Sequence, residues 1–143
     1  PLKTTSPLLN QCWSLSKVIG GTTNGEKKMR TLNDYFLYGV IDDVSTASTV
    51  RIPVPDAGKV IKITTVLGGT IATANAAVTA KIGTTNMTGG AITVAHSGSA
   101  AGDIDTAEPT AANNVVEGDF IALATDGAST NTHTLHFTIV VRR

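Results

Sequence analysis

Two histidines near the end of the sequence, His133 and His136, are the residues whose type and spacing could do chemistry. They lie in the segment NTHTLHFTIVVRR. Imidazole nitrogens can share a metal ion when both donors come within about 2 Å of it. In a β-strand, however, residues at an odd separation face opposite sides of the sheet. We therefore predict that the pair belongs to a strand, with His133 facing inward and His136 facing outward among threonines, and that it binds no metal.

Other residues with suitable chemistry also lack the partners that a site needs. Asp103 and Asp105 alternate as calcium ligands can, and Glu108 follows three positions later. The segment lacks the glycine and the spacing of an EF-hand loop, which favours a solvated loop. The single cysteine, Cys12, can form neither an internal disulfide nor a cysteine cluster around a metal. No nucleophile, base and oxyanion donor come together in the sequence. We predict a protein without enzymatic activity, cofactor or metal.

The composition favours β-structure. Of 143 residues, 41% are hydrophobic, only 15% are charged and 4% are aromatic. This length suits one domain with its own core, and the hydrophobic content excludes a disordered chain. Much of the polar share is threonine, a β-branched residue that is favoured in strands. The sequence therefore predicts an all-β domain.

Hydrophobic residues alternate with polar ones from Tyr35 onward, as in strands that are buried on one face. In STVRIPVP, Pro53 removes a backbone donor and indicates an edge strand or a bend. In GKVIKITTVLGG, the alternation assigns Ile61, Ile63 and Leu67 to one face. Glycines, including Gly89-Gly90, supply turn residues at most junctions. About eight such strands predict an antiparallel β-sandwich of the jelly-roll type over residues 35–143.

The segment 1–34 differs from the rest, because its isolated apolar residues follow no strand or helix period. We predict an irregular N-terminal arm that lies over a surface. The only tryptophan, Trp13, belongs to it, and tryptophan is favoured as an interface anchor. The alternative is that Trp13 covers the core of its own domain. The predicted partner-interface residues of the arm are Leu8, Leu9, Trp13, Lys17, Lys27, Lys28 and Arg30.

The net charge argues against a nucleic-acid partner, and the hydropathy argues against a membrane partner. The distribution of charge leaves a protein partner open. Eleven basic and eleven acidic residues give a formal net charge of zero, so no nucleic-acid partner is predicted. No apolar run approaches the roughly 20 residues that span a bilayer, and no signal peptide is recognisable, so no membrane partner or export is predicted. Between Lys81 and Arg142 there is no lysine or arginine, although the first thirty residues carry five. This asymmetry suggests electrostatic complementarity with a partner or between copies, unless these are ordinary solvated loops.

The arrangement as a whole resembles the cement, or decoration, proteins of tailed-bacteriophage heads. The resemblance is carried by the arm PLKTTSPLLNQCWSLSKVIGG, the strand pair VRIPVPDAGKVIKITTVLGG and the segment VVEGDFIALATDG with the strand that follows. It covers essentially the full length and is greatest to the jelly-roll cement protein of the Bordetella podophage head. It implies a structural virion protein on the outer capsid surface, made in the host cytoplasm. Such a protein would cement neighbouring copies of the major capsid protein against internal pressure, as a homodimer at two-fold positions.

A carbohydrate-binding, lectin-like jelly roll is the competing function. Such modules bind sugars through exposed aromatic residues on one sheet. Here Phe120 and Phe137 are predicted to lie in the core, while Tyr35, Phe36 and Tyr38 cluster at the start of the sandwich. The scarcity of aromatic residues counts against sugar binding. A metal-dependent enzyme of the cupin type is disfavoured too, because the histidine spacing lacks the His-x-His pattern.

Overall fold

A computed structural model describes residues 34–143, which form two antiparallel β-sheets. Residues 1–33 lie outside the described residues. They include the predicted arm except for its last residue, and all of its predicted partner-interface residues. Within the described range, no helix long and apolar enough to cross a membrane is present. The strands are β1 (Asp34–Ile41), β2 (Ser48–Pro53), β3 (Gly58–Leu67), β4 (Ala76–Ile82), β5 (Thr85–Val94), β6 (Ile104–Ala107), β7 (Asn114–Val115), β8 (Phe120–Thr125) and β9 (Leu135–Arg142).

The strand order is that of a jelly roll. The first sheet has the order β1-β9-β3-β6, with the short β7 also paired to β3, and the second sheet has the order β2-β8-β4-β5. Without β7, eight strands form two sheets of four, and most connections cross from one sheet to the other, as in two interleaved Greek keys. The predicted all-β, antiparallel sandwich of the jelly-roll type is confirmed.

The core lies between the two sheets and is built by alternate residues of each strand. In β9, Leu135, Phe137, Ile139 and Val141 are at most 1% exposed, while the residues between them face outward. The prediction for Phe137 is thus confirmed. The prediction for Phe120 is wrong, because that side chain is 38% exposed on the outer side of β8.

A β-bulge in β3 changes which residues face the core. The register with β9 shifts between Val60 and Lys62, and both Val60 and Ile63 are fully buried. Because one extra residue reverses the alternation, Ile61 does not share the buried face of Ile63, and that prediction is wrong. Asn113 holds the bulge: its side-chain nitrogen donates to the carbonyl of Val60 at 2.8 Å, and its own carbonyl accepts from the Val60 amide at 2.8 Å.

Two segments that the sequence assigned to turns or loops are strands. Gly89-Gly90 lies within β5 rather than between strands, in a stretch where the ladder to β4 is interrupted. The acidic segment 103–108 contains β6, which pairs with β3, so the prediction of a solvated loop there is wrong. In both cases long-range pairing outweighs the local preference for a turn.

Candidate functional site

The two histidines are positioned by the start of β9. His136 is exposed on the outer face of β9, as predicted. His133 precedes the strand and is half-buried, and its ring covers Gly69, where a Cβ atom would lie 2.5 Å from Nδ1. Residues 34–143 contain no group of three or more metal-ligating side chains. The candidate site is instead a surface of exposed hydrophobic and aromatic side chains on the first sheet.

The outer face of the first sheet is largely uncharged and partly aromatic. Cross-strand pairing places Tyr38 beside Thr138, and Val40 beside His136. On the far side of β9, Val66 of β3 pairs with Ile104 of β6. We call this surface the apolar face, and it consists of Phe36, Tyr38, Val40, Thr64, Val66, Ile104, His136, Thr138 and Val140.

The largest side chains of the apolar face are strongly exposed. Phe36 is 67% exposed, Tyr38 61% and Ile104 65%. An open groove of about 570 Å³ runs between the aromatic residues of β1 and the threonines and valines of β3 and β9. Single exposed hydrophobic residues are ordinary on protein surfaces, but a contiguous set on one face marks an interaction site. Among the described residues, nothing covers this face.

The sequence of β1 explains the exposure of its aromatic residues. In DYFLYGVI, Leu37 and Ile41 face the core and are at most 9% exposed, so Phe36 and Tyr38 must face outward. The Tyr38 hydroxyl lies 2.6 Å from Nδ1 of His136, and the two rings are stacked with centroids 6.1 Å apart. This diagonal contact between β1 and β9 orients both rings on the sheet surface.

An ion pair closes one end of the apolar face. Arg142 donates from Nε and from one terminal nitrogen to the two carboxylate oxygens of Asp34, both at 2.9 Å. These hydrogen bonds, together with the positive charge, lower the pKa of Asp34. At the opposite edge, burial and the nearby charge of Asp103 raise the pKa of Asp105. Lys62 of β3 is exposed and pairs with Val140, so it adds a cation at the end of the face that the ion pair closes. The face is therefore bordered by charge but carries little of it.

The size of the apolar face limits the strength of a single contact. Four strands about 4.8 Å apart and five residues along each strand span roughly 19 Å by 17 Å, or about 300 Å² in projection. A stable protein–protein interface buries about 800 Å² on each partner. One apolar face therefore suits a weak contact that becomes strong when it is repeated in an assembly.

The four sheet edges differ in how well they can accept another strand. β2 ends in Pro53, as the sequence predicted for an edge strand, and it carries Arg51. Residues 87–90 interrupt the ladder of β5, and β6 has only four residues. β1 pairs with β9 over eight residues without interruption and contains neither lysine nor proline. Among the described strands, β1 is the edge without protection against further pairing.

Comparisons with known proteins place the fold. No protein-family model matches the chain, and no curated protein sequence matches it. The chain is similar to a chain in the acidic stable capsid structure of Helicobacter pylori bacteriophage KHP30, with a TM-score of 0.52 and 13% identity over 77% of this chain and 87% of that one. It is also similar to the catalytic unit of a thermostable GH87 alpha-1,3-glucanase from Streptomyces thermodiastaticus strain HF3-3, with a TM-score of 0.49 and 12% identity over 79% of this chain and 26% of that one.

The first of these similarities shows the fold: the chain shares its β-sandwich with a chain of a phage capsid. The expectation of a phage-capsid type of fold is confirmed at that level. The closer resemblance to the Bordetella podophage cement protein stays a prediction. The second similarity, at a TM-score below 0.5, supports no conclusion about the chain.

Proposed function

We propose that the protein is a structural virion component that binds the outer surface of a phage capsid and cements neighbouring copies of the major capsid protein. The observation that carries the proposal is the apolar face, on which Phe36, Tyr38 and Ile104 are each more than 60% exposed. The sandwich fold shared with a phage capsid chain supports the same assignment. A rigid sandwich attached to two capsid subunits adds contact area across their seam and so resists internal pressure.

We propose further that the protein acts as a homodimer that pairs β1 with β1 of a second copy. A two-fold axis perpendicular to the sheet requires antiparallel strands in which one residue lies opposite its own copy. With Leu37 at the axis, Phe36 lies opposite Tyr38 of the second copy, which forms aromatic cross-strand pairs. With Tyr38 at the axis, Asp34 would oppose Asp42 of the second copy, and like charges destabilise such pairs.

Pairing through β1 would enlarge the docking surface. It joins the two first sheets into one, and the two apolar faces become continuous across the axis. The combined surface is about 600 Å² in projection, close to the size of a standard interface on one partner. A dimer of this kind suits a capsid two-fold position, where each half meets an equivalent subunit.

The arm is proposed to supply a second contact with the capsid. Its apolar residues Leu8, Leu9 and Trp13 are the candidate anchors, and its basic residues Lys17, Lys27, Lys28 and Arg30 would pair with acidic groups of the partner. Deleting residues 1–20 should leave the sandwich folded and abolish attachment to capsids. Unchanged affinity of the truncated protein for bare heads would show that the arm is not needed.

Co-sedimentation with undecorated heads tests the apolar face. The double variant Phe36→Ser/Tyr38→Ser should bind at least about tenfold more weakly, because its two largest apolar contacts are lost. Val116→Ser is the matched control, since Val116 is 60% exposed but lies outside the face. Both variants should unfold at temperatures near that of the parent. Wild-type affinity of the double variant would contradict the proposal, and saturable binding of neutral sugars to the isolated protein, lost in the same variant, would favour the lectin-like function.

Disulfide trapping tests the dimer. In a Cys12→Ser background, the double variant Phe36→Cys/Tyr38→Cys should form disulfides between copies on oxidation. The reason is that position 36 of one copy lies opposite position 38 of the other across the axis. Cysteine at position 116 is the control and should give no cross-linked dimer. A protein that stays monomeric at capsid-binding concentrations and forms no cross-link would contradict pairing through β1.

A further inference from the structure

The outer face of the second sheet carries a small trough on the side opposite the apolar face. Arg51 of β2 and Lys81 of β4 both pair with Ala122 of β8, so the two cations flank one small residue. In the next row Thr49 flanks Ala124. The trough has a volume of about 200 Å³.

No ion pair among the described residues neutralises the two cations of this trough. Arg51 and Lys81 are the only charged residues in the four strands of the second sheet. Among residues 34–143, neither of them forms an ion pair. The described residues include six lysines and arginines and ten acidic residues, which gives a net charge of −4. The positive charge of this face is therefore opposite in sign to the net charge of the described residues. The stems of Arg51 and Lys81 have about 10 Å between their backbones, which lets both heads reach one anion above Ala122.

The remaining lining offers two further kinds of contact. Ala122 is only 3% exposed although it faces outward, so the flanking stems already shield the floor from water. The Phe120 ring is 38% exposed at one end, and Thr49 and Thr84 contribute hydroxyl groups. The trough thus combines three kinds of group. Its cations can bind a carboxylate, its hydroxyls can form hydrogen bonds, and its aromatic ring can pack against a nonpolar side of the ligand.

We propose that this trough binds a single carboxylated sugar residue of the uronic acid type. Its carboxylate accepts hydrogen bonds from Arg51 and Lys81, its hydroxyls meet Thr49 and Thr84, and its ring lies against Phe120. The volume admits one monosaccharide and no more. A ligand of that size in an open trough binds weakly, with a Kd of about 1 mM. This inference does not depend on the capsid-binding function.

Two other anionic partners fit the trough less well. Nucleic acid is repelled by the net negative charge of the described residues, and its repeated phosphates find only two cations in the sheet. An acidic peptide would use the cations but needs no aromatic ring and no threonine hydroxyls. The combination of all three contacts favours the sugar.

Titration of the chain 1–143 with glucuronate, followed by NMR, tests the proposal. Glucuronate should saturate with a Kd of about 1 mM and shift the amide signals of Ala122 and Phe120. Glucose has the same ring without the carboxylate, and acetate has the carboxylate without the ring. Both should bind at least about tenfold more weakly. Equal binding of acetate and glucuronate would reduce the trough to a simple anion site and overturn the sugar assignment.

Variants separate the trough from general electrostatics. Arg51→Gln and Lys81→Gln should each weaken glucuronate binding at least about fivefold, and Phe120→Ala should weaken glucuronate more than acetate. Lys62→Gln, on the opposite sheet, is the control with the same charge change and should leave the Kd unchanged. Equal loss in Lys62→Gln, no saturable binding, or tighter binding of a polyglutamate peptide would each overturn the proposal.

Discussion

Gly39 of β1 lies directly against the ring of its cross-strand partner Phe137 in β9. A Cβ atom at position 39 would overlap that ring and would come within 2.8 Å of Cδ1 of Ile52. Because Phe137 is 1% exposed, its ring lies in the core and cannot move aside into solvent. Gly39→Ala should therefore destabilise the protein by about 1–3 kcal/mol, as overpacked cores do. Urea unfolding measures this change.

A second substitution at the same contact serves as the control. Phe137→Leu removes ring atoms that the new methyl group would meet, so Gly39→Ala should cost less in that background than in the parent. Such coupling is expected only for side chains in contact. Additive effects of the two substitutions would contradict the close approach.

Asn113 is predicted to be essential for the bulge in β3. Its side-chain nitrogen donates to the carbonyls of Val60 and Pro109, both at 2.8 Å, and the residue is 3% exposed. Asn113→Ala leaves these buried acceptors unpaired and should lower the free energy of unfolding by about 1–3 kcal/mol. Asn114→Ala, at the exposed neighbouring position, should change it much less. Equal unfolding midpoints for the two variants would contradict this role.

The ion pair between Asp34 and Arg142 should make stability fall in acid. The hydrogen bonds and charge of Arg142 lower the pKa of Asp34 in the folded state. A lowered carboxyl pKa contributes stability above the unfolded value of about 3.9, and that contribution is lost as the pH falls through the folded pKa. Asp34→Asn should unfold slightly earlier than the parent at pH 7, and the difference should shrink as the pH falls below about 3.9. The effect is small because the side chain of Arg142 is 59% exposed.

Asp105 should have the opposite pH dependence. Burial, and secondarily the charge of Asp103, raise its pKa in the folded state, so its ionised form disfavours folding at neutral pH. As the pH falls through the raised pKa, the carboxyl takes up a proton and this penalty disappears. Asp105→Asn should therefore raise the melting temperature at pH 7 and match the parent below a pH of about 4. A lower melting temperature at pH 7 would contradict the prediction.

The sequence predicted the sandwich because alternation in single strands is a local signal. The inward residues of β9 and the edge position of Pro53 follow from that signal alone. The alternation assigned Ile61 to the wrong face, because a bulge depends on the partner strand. It also assigned Phe120 to the core wrongly, because this residue begins its strand directly after a turn. The apolar face was not predicted, since the contact of Tyr38 with His136 joins residues 98 positions apart. The trough was missed for the same reason: only the register brings Arg51 and Lys81 to either side of Ala122.

The central position of β9 in the first sheet imposes an order on folding during synthesis. β1 and β3 have no pairing with one another and meet only through β9, which follows them by more than sixty residues. Until the ribosome has released β9, both strands expose unpaired edges and apolar side chains. The second sheet, whose strands are complete by Thr125, can form earlier. Chaperone dependence should therefore be concentrated in the interval before the final strand emerges, and nascent chains stalled within it should be the species that aggregate.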